Sequence, residues 1–252
     1  MNKNNRYLIK LWIPAVVLIV YLAFSIIRDS TNLIIVPFVI AFLIILRSRI
    51  RNTLGKALQN SGPEPLIRSL TPKPSKFLKP ELGVTTNAYN RAFAYLLYGE
   101  FEHARAAMKE VDWQSMDPMF QAMDYSMKSL ICYFTGDVTN GLTYAHKTKE
   151  LGSVSTMFPG SKRSSEITDA YIEVGQVLSG YCTTERMNSL ELKFQKAAAL
   201  TKLILGWGLM NGYKQRGDTA GYNRMQQYFR VHAPHCSVLI NPLPEEPLSE
   251  AE

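Results

Sequence analysis

His232-Ala-Pro-His235-Cys236 gathers three metal-ligating side chains within five residues. Imidazole and thiolate are ligands zinc prefers, but a site needs a fourth ligand or an open catalytic position. Cys182 or His146 would have to arrive through the fold to complete it. The bland alternative is a helix stopped at Pro234, with a histidine near the negative end of the helix dipole. That alternative is adopted, and no metal is expected. Gly206, Gly208 and Gly212 lack the spacing of a dinucleotide fingerprint and follow no strand signal, so small residues at a helix crossing explain them better. The chain has no G-x-S-x-G, no H-E-x-x-H and no Walker lysine loop. No catalytic residue and no cofactor is therefore expected, and the chain is read as a non-enzyme.

The elements that must position any site begin with two apolar runs, Leu11–Ile27 and Leu33–Leu46. The first holds seventeen residues with Ser25 as its one polar member, and the second holds fourteen with none. About twenty apolar residues span a hydrocarbon core, and short spans are accommodated by snorkelling from Lys10 and by local thinning. Lys3, Arg6 and Lys10 precede the pair; Arg47, Arg49 and Arg51 follow it. Basic flanks stay cytoplasmic. The expectation is a transmembrane hairpin over residues 1–51, with helices at about 7–27 and 31–47 and both termini cytoplasmic, in a plasma or bacterial inner membrane.

The net charge of +7 suggests nucleic acid until it is divided along the chain. Residues 1–51 carry +6 and residues 52–86 carry +3, whereas residues 87–252 carry −2. The basic excess thus belongs beside the lipid headgroups, and the remainder has no surplus to neutralise phosphates. Cys132, Cys182 and Cys236 form no C-x-x-C pair and read as free thiols of a reducing compartment. Pro63, Pro65, Pro72, Pro74 and Pro80 interrupt any helical period, so residues 52–86 are expected to form a semi-extended tether. Residues 237–252, rich in Pro and Glu, are expected to be a disordered acidic tail.

From Asn87 onward helical periodicity dominates. Ala92, Tyr95, Gly99, Ala104, Met108 and Val111 put small residues where two helices cross, an aromatic over the gap and a glycine in the turn. This stretch resembles one tetratricopeptide repeat (TPR). The pattern recurs around Gly136-Asp137, with Ser129, Gly141 and Ala145, and around Gly217-Asp218, where Tyr222 falls on a position the family fills with a small residue. A further pair, Ile167–Ser179 and Glu185–Leu200, surrounds Gly180, with Glu173 and Gln176 at expected core positions. The spacings of 37, 44 and 37 residues between turn glycines fit a thirty-four-residue period with insertions.

The fold class implied is all-α: a transmembrane helical hairpin followed by a TPR-like α-solenoid over residues 87–236. The resemblance implies an adaptor or scaffold that binds a protein or peptide in a groove. Its groove candidates are Tyr89, Phe93 and Leu96, then Ser126, Leu130 and Tyr133, then Trp207, Asn211 and Lys214. The expected partners are a protein or peptide and the lipid bilayer, with no nucleic acid. An alternative is a structural subunit of a membrane complex that binds through the hairpin; an enzyme with a metal site is a third reading.

Overall fold

Four glycines take backbone angles that side chains avoid: Gly99, Gly136, Gly180 and Gly217, at φ of +81°, +89°, +93° and +69°. Each closes a helix in the same way. The glycine N–H donates to the carbonyl three residues back (Leu96, Tyr133, Val177, Lys214). The next N–H donates to the carbonyl five residues back (Tyr95, Cys132, Gln176, Tyr213). These two bonds define the Schellman turn, which satisfies orphan carbonyls and needs a left-handed residue. All four are the glycines the sequence places between helices.

The structure, a computed structural model, describes residues 53–71, 80–154 and 162–243, and no strand occurs among them. The chain divides into two units, 1–53 and 54–252, and every element below lies in the second. The helices are α1 Glu64–Leu70, α2 Pro80–Leu97, α3 Phe101–Lys109, α4 Pro118–Phe134 and α5 Val138–Val154. They continue with α6 Lys162–Leu178, α7 Thr184–Lys196, α8 Ala199–Gln215, α9 Thr219–His232 and α10 Ser237–Ile240. A 3₁₀ turn, Trp113–Ser115, follows α3. The expected hairpin lies outside the described residues; among those described, no helix is long and apolar enough to cross a membrane.

Consecutive helices pair as α2/α3, α4/α5, α6/α7 and α8/α9, and the first helices of successive pairs, α2, α4, α6 and α8, also touch in order. The arrangement is solenoid-like. Pairing depends on close approach. The Tyr133 ring of α4 occupies the space a Cβ would need on Gly141 of α5 and on Gly175 of α6, and its hydroxyl donates to the Tyr171 carbonyl at 3.1 Å. Helix α8 is buried without interruption from Leu203 to Tyr213. Its three glycines receive neighbours: Gly206 meets Phe194 and Phe229, Gly208 meets Val174, and Gly212 meets Met187 and Val177. They are helix-crossing residues, as the sequence implies.

Several boundaries differ from expectation. Residues 54–70, placed in the tether, are folded: Leu54, Ala57, Leu58 and Leu66 are buried, and α1 and α2 lean on each other. Pro63, Pro65 and Pro80 begin helices instead of breaking them. Pro65 lies in the first turn of α1 and Pro80 opens α2, where a missing N–H has no cost. The helical domain therefore starts before residue 87. Residues 237–243, placed in the tail, are also ordered. Helix α7 ends at Lys196, so Leu200 belongs to α8. In α6 the core falls on Ala170, Val174 and Val177, leaving Glu173 and Gln176 half-buried. In α9 the small crossing residue is Gly221, under the Tyr213 ring, one position before Tyr222.

Ala104 is fully buried whereas Ala106 is exposed, as the repeat register requires. Ala104→Leu forces three carbons into a filled crossing and is expected to cost about 1–3 kcal/mol. Ala106→Leu is expected to be nearly neutral, since leucine is also a good helix former. Thermal melts of both variants check this; equal losses would contradict the register.

Candidate functional site

The last described stretch, residues 233–243, doubles back after α9 and runs against helices far away in sequence. Ala233, Cys236 and Leu239, spaced three apart, are all fully buried. α10 touches both α9 and α2, joining the last helix pair to the first. The Ser237 hydroxyl donates to the Tyr98 carbonyl at 2.8 Å, beside the Gly99 turn. Beyond α10 the chain is extended at Asn241. The Leu243 N–H donates to Asn211 Oδ1 at 2.8 Å, and Trp207 Nε1 donates to the Asn241 carbonyl at 3.4 Å. Leu243 also lies over the Gly136 turn, and Phe134 packs edge-on against Trp207 with centroids 4.5 Å apart. We call residues 233–243 the strap. It contacts the ends of α2 and α4 and the middle of α8.

The nine groove candidates divide accordingly. Phe93, Leu96, Leu130 and Tyr133 are core residues, covered by neighbouring helices, and offer nothing to a partner in this state. The tight crossings turn these first-helix positions inward. Ser126 is buried; its hydroxyl donates to the Met123 carbonyl and lies 3.1 Å from the hydroxyl of the half-buried Tyr89. Burial raises the Tyr89 hydroxyl pKa, partly offset by Ser126 and Tyr171. Lys214 is exposed. Trp207 and Asn211 are buried, and part of their cover is the strap itself. These two meet on one stretch of the chain's own backbone, residues 241–243; the others do not.

Tyr98, Ser237, Leu239 and Leu243 are not singled out by the sequence, and Cys236 stands there only as a candidate metal ligand and a free thiol. The signal for the strap was the i, i+3 spacing of Ala233, Cys236 and Leu239, hidden beside prolines and glutamates. Cys236 sits beside the Tyr98 hydroxyl, and burial pushes its thiol up to about 12. The same burial, with Cys236 and Glu64 nearby, raises Tyr98, whose hydroxyl donates to the Asn60 carbonyl at 2.9 Å. His232 stacks on Tyr228 at 4.5 Å and is exposed, as is His235. Among the described residues no three His, Cys, Asp or Glu side chains converge on a metal position. All three cysteines are free.

Comparison of the chain with protein-family models, with curated proteins and with solved structures gave no match. The site therefore stands on its own geometry. A second concavity, a cleft of about 540 Å³, opens between α3, the 3₁₀ turn, α4 and α5. Its apolar wall includes Met108, Trp113, Met127 and Ile131, and its charged lining includes Arg105, Lys128, Asp112 and Asp124. Asp124 is buried and bonded to Lys128 at 2.7 Å. The mixed charge selects no ligand class.

The raised Cys236 thiol predicts a pH dependence. In the fold the thiol keeps its proton to about 12; unfolded, it titrates near its ordinary value of 9.0. Its contribution is complete below pH 9 and is lost as pH rises toward 12, at up to about 1.4 kcal/mol per pH unit. Denaturant melts at pH 8 and pH 10 should show a larger loss for the native chain than for Cys236→Ala. Equal losses would contradict the burial argument.

Proposed function

We propose that the chain is a membrane-anchored adaptor or scaffold whose second unit, a TPR-like stack of helix pairs, binds an extended segment of a protein partner at the cytoplasmic surface. The observation that carries this reading is the pair Trp207 and Asn211. Both lie on the first helix of the last pair, and their side chains hold the backbone of an extended stretch, at Asn241 and Leu243. Main-chain recognition by side chains of a rigid helix suits peptide capture, because every peptide presents the same N–H and C=O groups. The identically closed turns support the repeat reading, and the seven-to-one excess of basic over acidic residues in 1–51 supports the cytoplasmic orientation.

A photo-crosslinking amino acid placed at Lys214, next to this face, should trap a partner protein in cells. The same residue placed at Ala106, on the outer surface of α3, should not. Adducts from Ala106 alone would move binding to the outer surface, and loss of the Lys214 adduct on deleting only residues 1–51 would assign binding to the hairpin.

Topology is tested separately. Cys236 is too buried to report on it, so cysteine is placed at Ser30 and at the exposed Ser153. In intact cells an impermeant thiol reagent should reach the cysteine at 30, and should reach that at 153 only after permeabilisation. Labelling at 153 in intact cells would reverse the orientation.

A further inference from the structure

We propose that the strap is a displaceable resident ligand, and that the surface it covers on α2, α4 and α8 receives an aliphatic, proline-containing segment of the partner that forms one helical turn and then extends. This rests on the adaptor reading and adds two things to it: the chemistry of the bound peptide, and a self-occupied state that the partner must displace.

The strap is held as a peptide ligand is held. Its buried side chains form one line, Ala233, Cys236 and Leu239, while Ser237 and Asn241 stay exposed. Its polar attachment runs almost wholly through backbone groups at one end or the other: Ser237 to the Tyr98 carbonyl, the Leu243 N–H to Asn211, and Trp207 to the Asn241 carbonyl. None of these contacts is specific to this segment's own side chains except that of Ser237. Any chain that makes one helical turn with an aliphatic residue at the Leu239 place, then runs extended to a backbone N–H at the Leu243 place, satisfies the same acceptor and donor.

The proline at position 242 fits the same picture. Pro has no N–H, so Asn241-Pro242-Leu243 offers a carbonyl, then no donor, then a donor. Trp207 and Asn211 use the first and the last. A proline also stiffens the extended form and lowers the ordering cost of binding. The receiving face therefore fits a segment of the type aliphatic, spacer, polar, Pro, aliphatic.

Covalent attachment gives the strap a high effective concentration, so a partner segment of equal intrinsic affinity competes at a disadvantage. The surface is thus silent until a partner exceeds the strap or the strap is loosened. Cys236 reports the state directly, because its thiol is inaccessible when the strap is closed.

The test uses the full chain in detergent, with a peptide copying residues 237–244 as the probe. Alkylation of Cys236 is timed by mass spectrometry, with Cys132 as the internal reference, and peptide binding is measured by fluorescence anisotropy. Excess peptide should speed Cys236 alkylation at least tenfold and leave Cys132 unchanged. Two variants should then diverge. Leu239→Ala weakens the resident segment but not the receiving face, so it should speed alkylation and tighten peptide binding by at least about tenfold. Asn211→Ala removes an acceptor that strap and peptide use alike, so it should speed alkylation about three- to tenfold yet leave apparent peptide affinity nearly unchanged, the larger open fraction offsetting the lost bond.

Alkylation of Cys236 only at the rate of global unfolding, no effect of the peptide, or an equal effect of both variants on binding would make the strap a fixed part of the fold and overturn the proposal. A rate that depends on protein concentration would assign the face to a second copy's strap and would also overturn it. A Lys214 crosslink that persists in any of these cases leaves the adaptor reading standing while this inference falls.

Discussion

The burial of α8 is the constraint on which the rest of this unit depends. A helix apolar on every side has no stable place at a surface, and the run from Leu203 to Tyr213 has no exposed member. Covering it takes four different neighbours. Val174 of α6 enters over Gly208, Met187 of α7 over Gly212, and Phe229 of α9, together with Phe194 of α7, over Gly206. The fourth side, carrying Trp207 and Asn211, is closed by the strap. Removing the strap leaves an indole and a buried amide without their cover. This explains why a short segment with a four-residue helix is ordered: it completes a surface that the other helices leave open.

The repeat is preserved at the turns and relaxed at the crossings. All four glycine turns share one bonding pattern, because a left-handed residue at that place has few substitutes. The crossings have more than one solution. The first pair uses Ala104, the second Gly141 beneath Tyr133, and the last Gly221 beneath Tyr213. In the third, the close approach moves to Gly175, where Tyr133 of the preceding pair enters. A ring over a glycine and a modest side chain over an alanine fill comparable space, so the helices keep their pairing while the small residue shifts along the sequence.

That difference sets what could be read in advance. Turn glycines, helix pairs and the burial of Ala104 follow from local pattern, and each is where the sequence puts it. The folded stretch 54–70 was hidden because proline at a helix start and proline in a linker look alike until the N-terminal register is known. The end of α7 was hidden for the opposite reason: Ala197 and Ala198 are strong helix formers, yet Ala198 is extended and the chain turns there. Groove assignments suffered most. A first-helix position faces either the groove or the next helix depending on how far successive pairs rotate, and no single repeat encodes that rotation. Trp207 and Asn211 lie under the chain's own residues 241–243, whereas Phe93, Leu96, Leu130 and Tyr133 lie in the core.

Tyr98 then ties the two ends of the described unit to one place. It closes α2, its carbonyl accepts from Ser237 of the strap, and its hydroxyl donates to the Asn60 carbonyl in the segment ahead of α1. Cys236 lies against the same hydroxyl. One half-buried tyrosine thus serves both segments, its carbonyl accepting from the strap and its hydroxyl donating to Asn60. The N-terminal segment and the strap are thereby coupled through one residue without touching a catalytic group. Coupling of this kind is reciprocal, so a substitution at Tyr98 that disturbs one of these contacts is felt at the other.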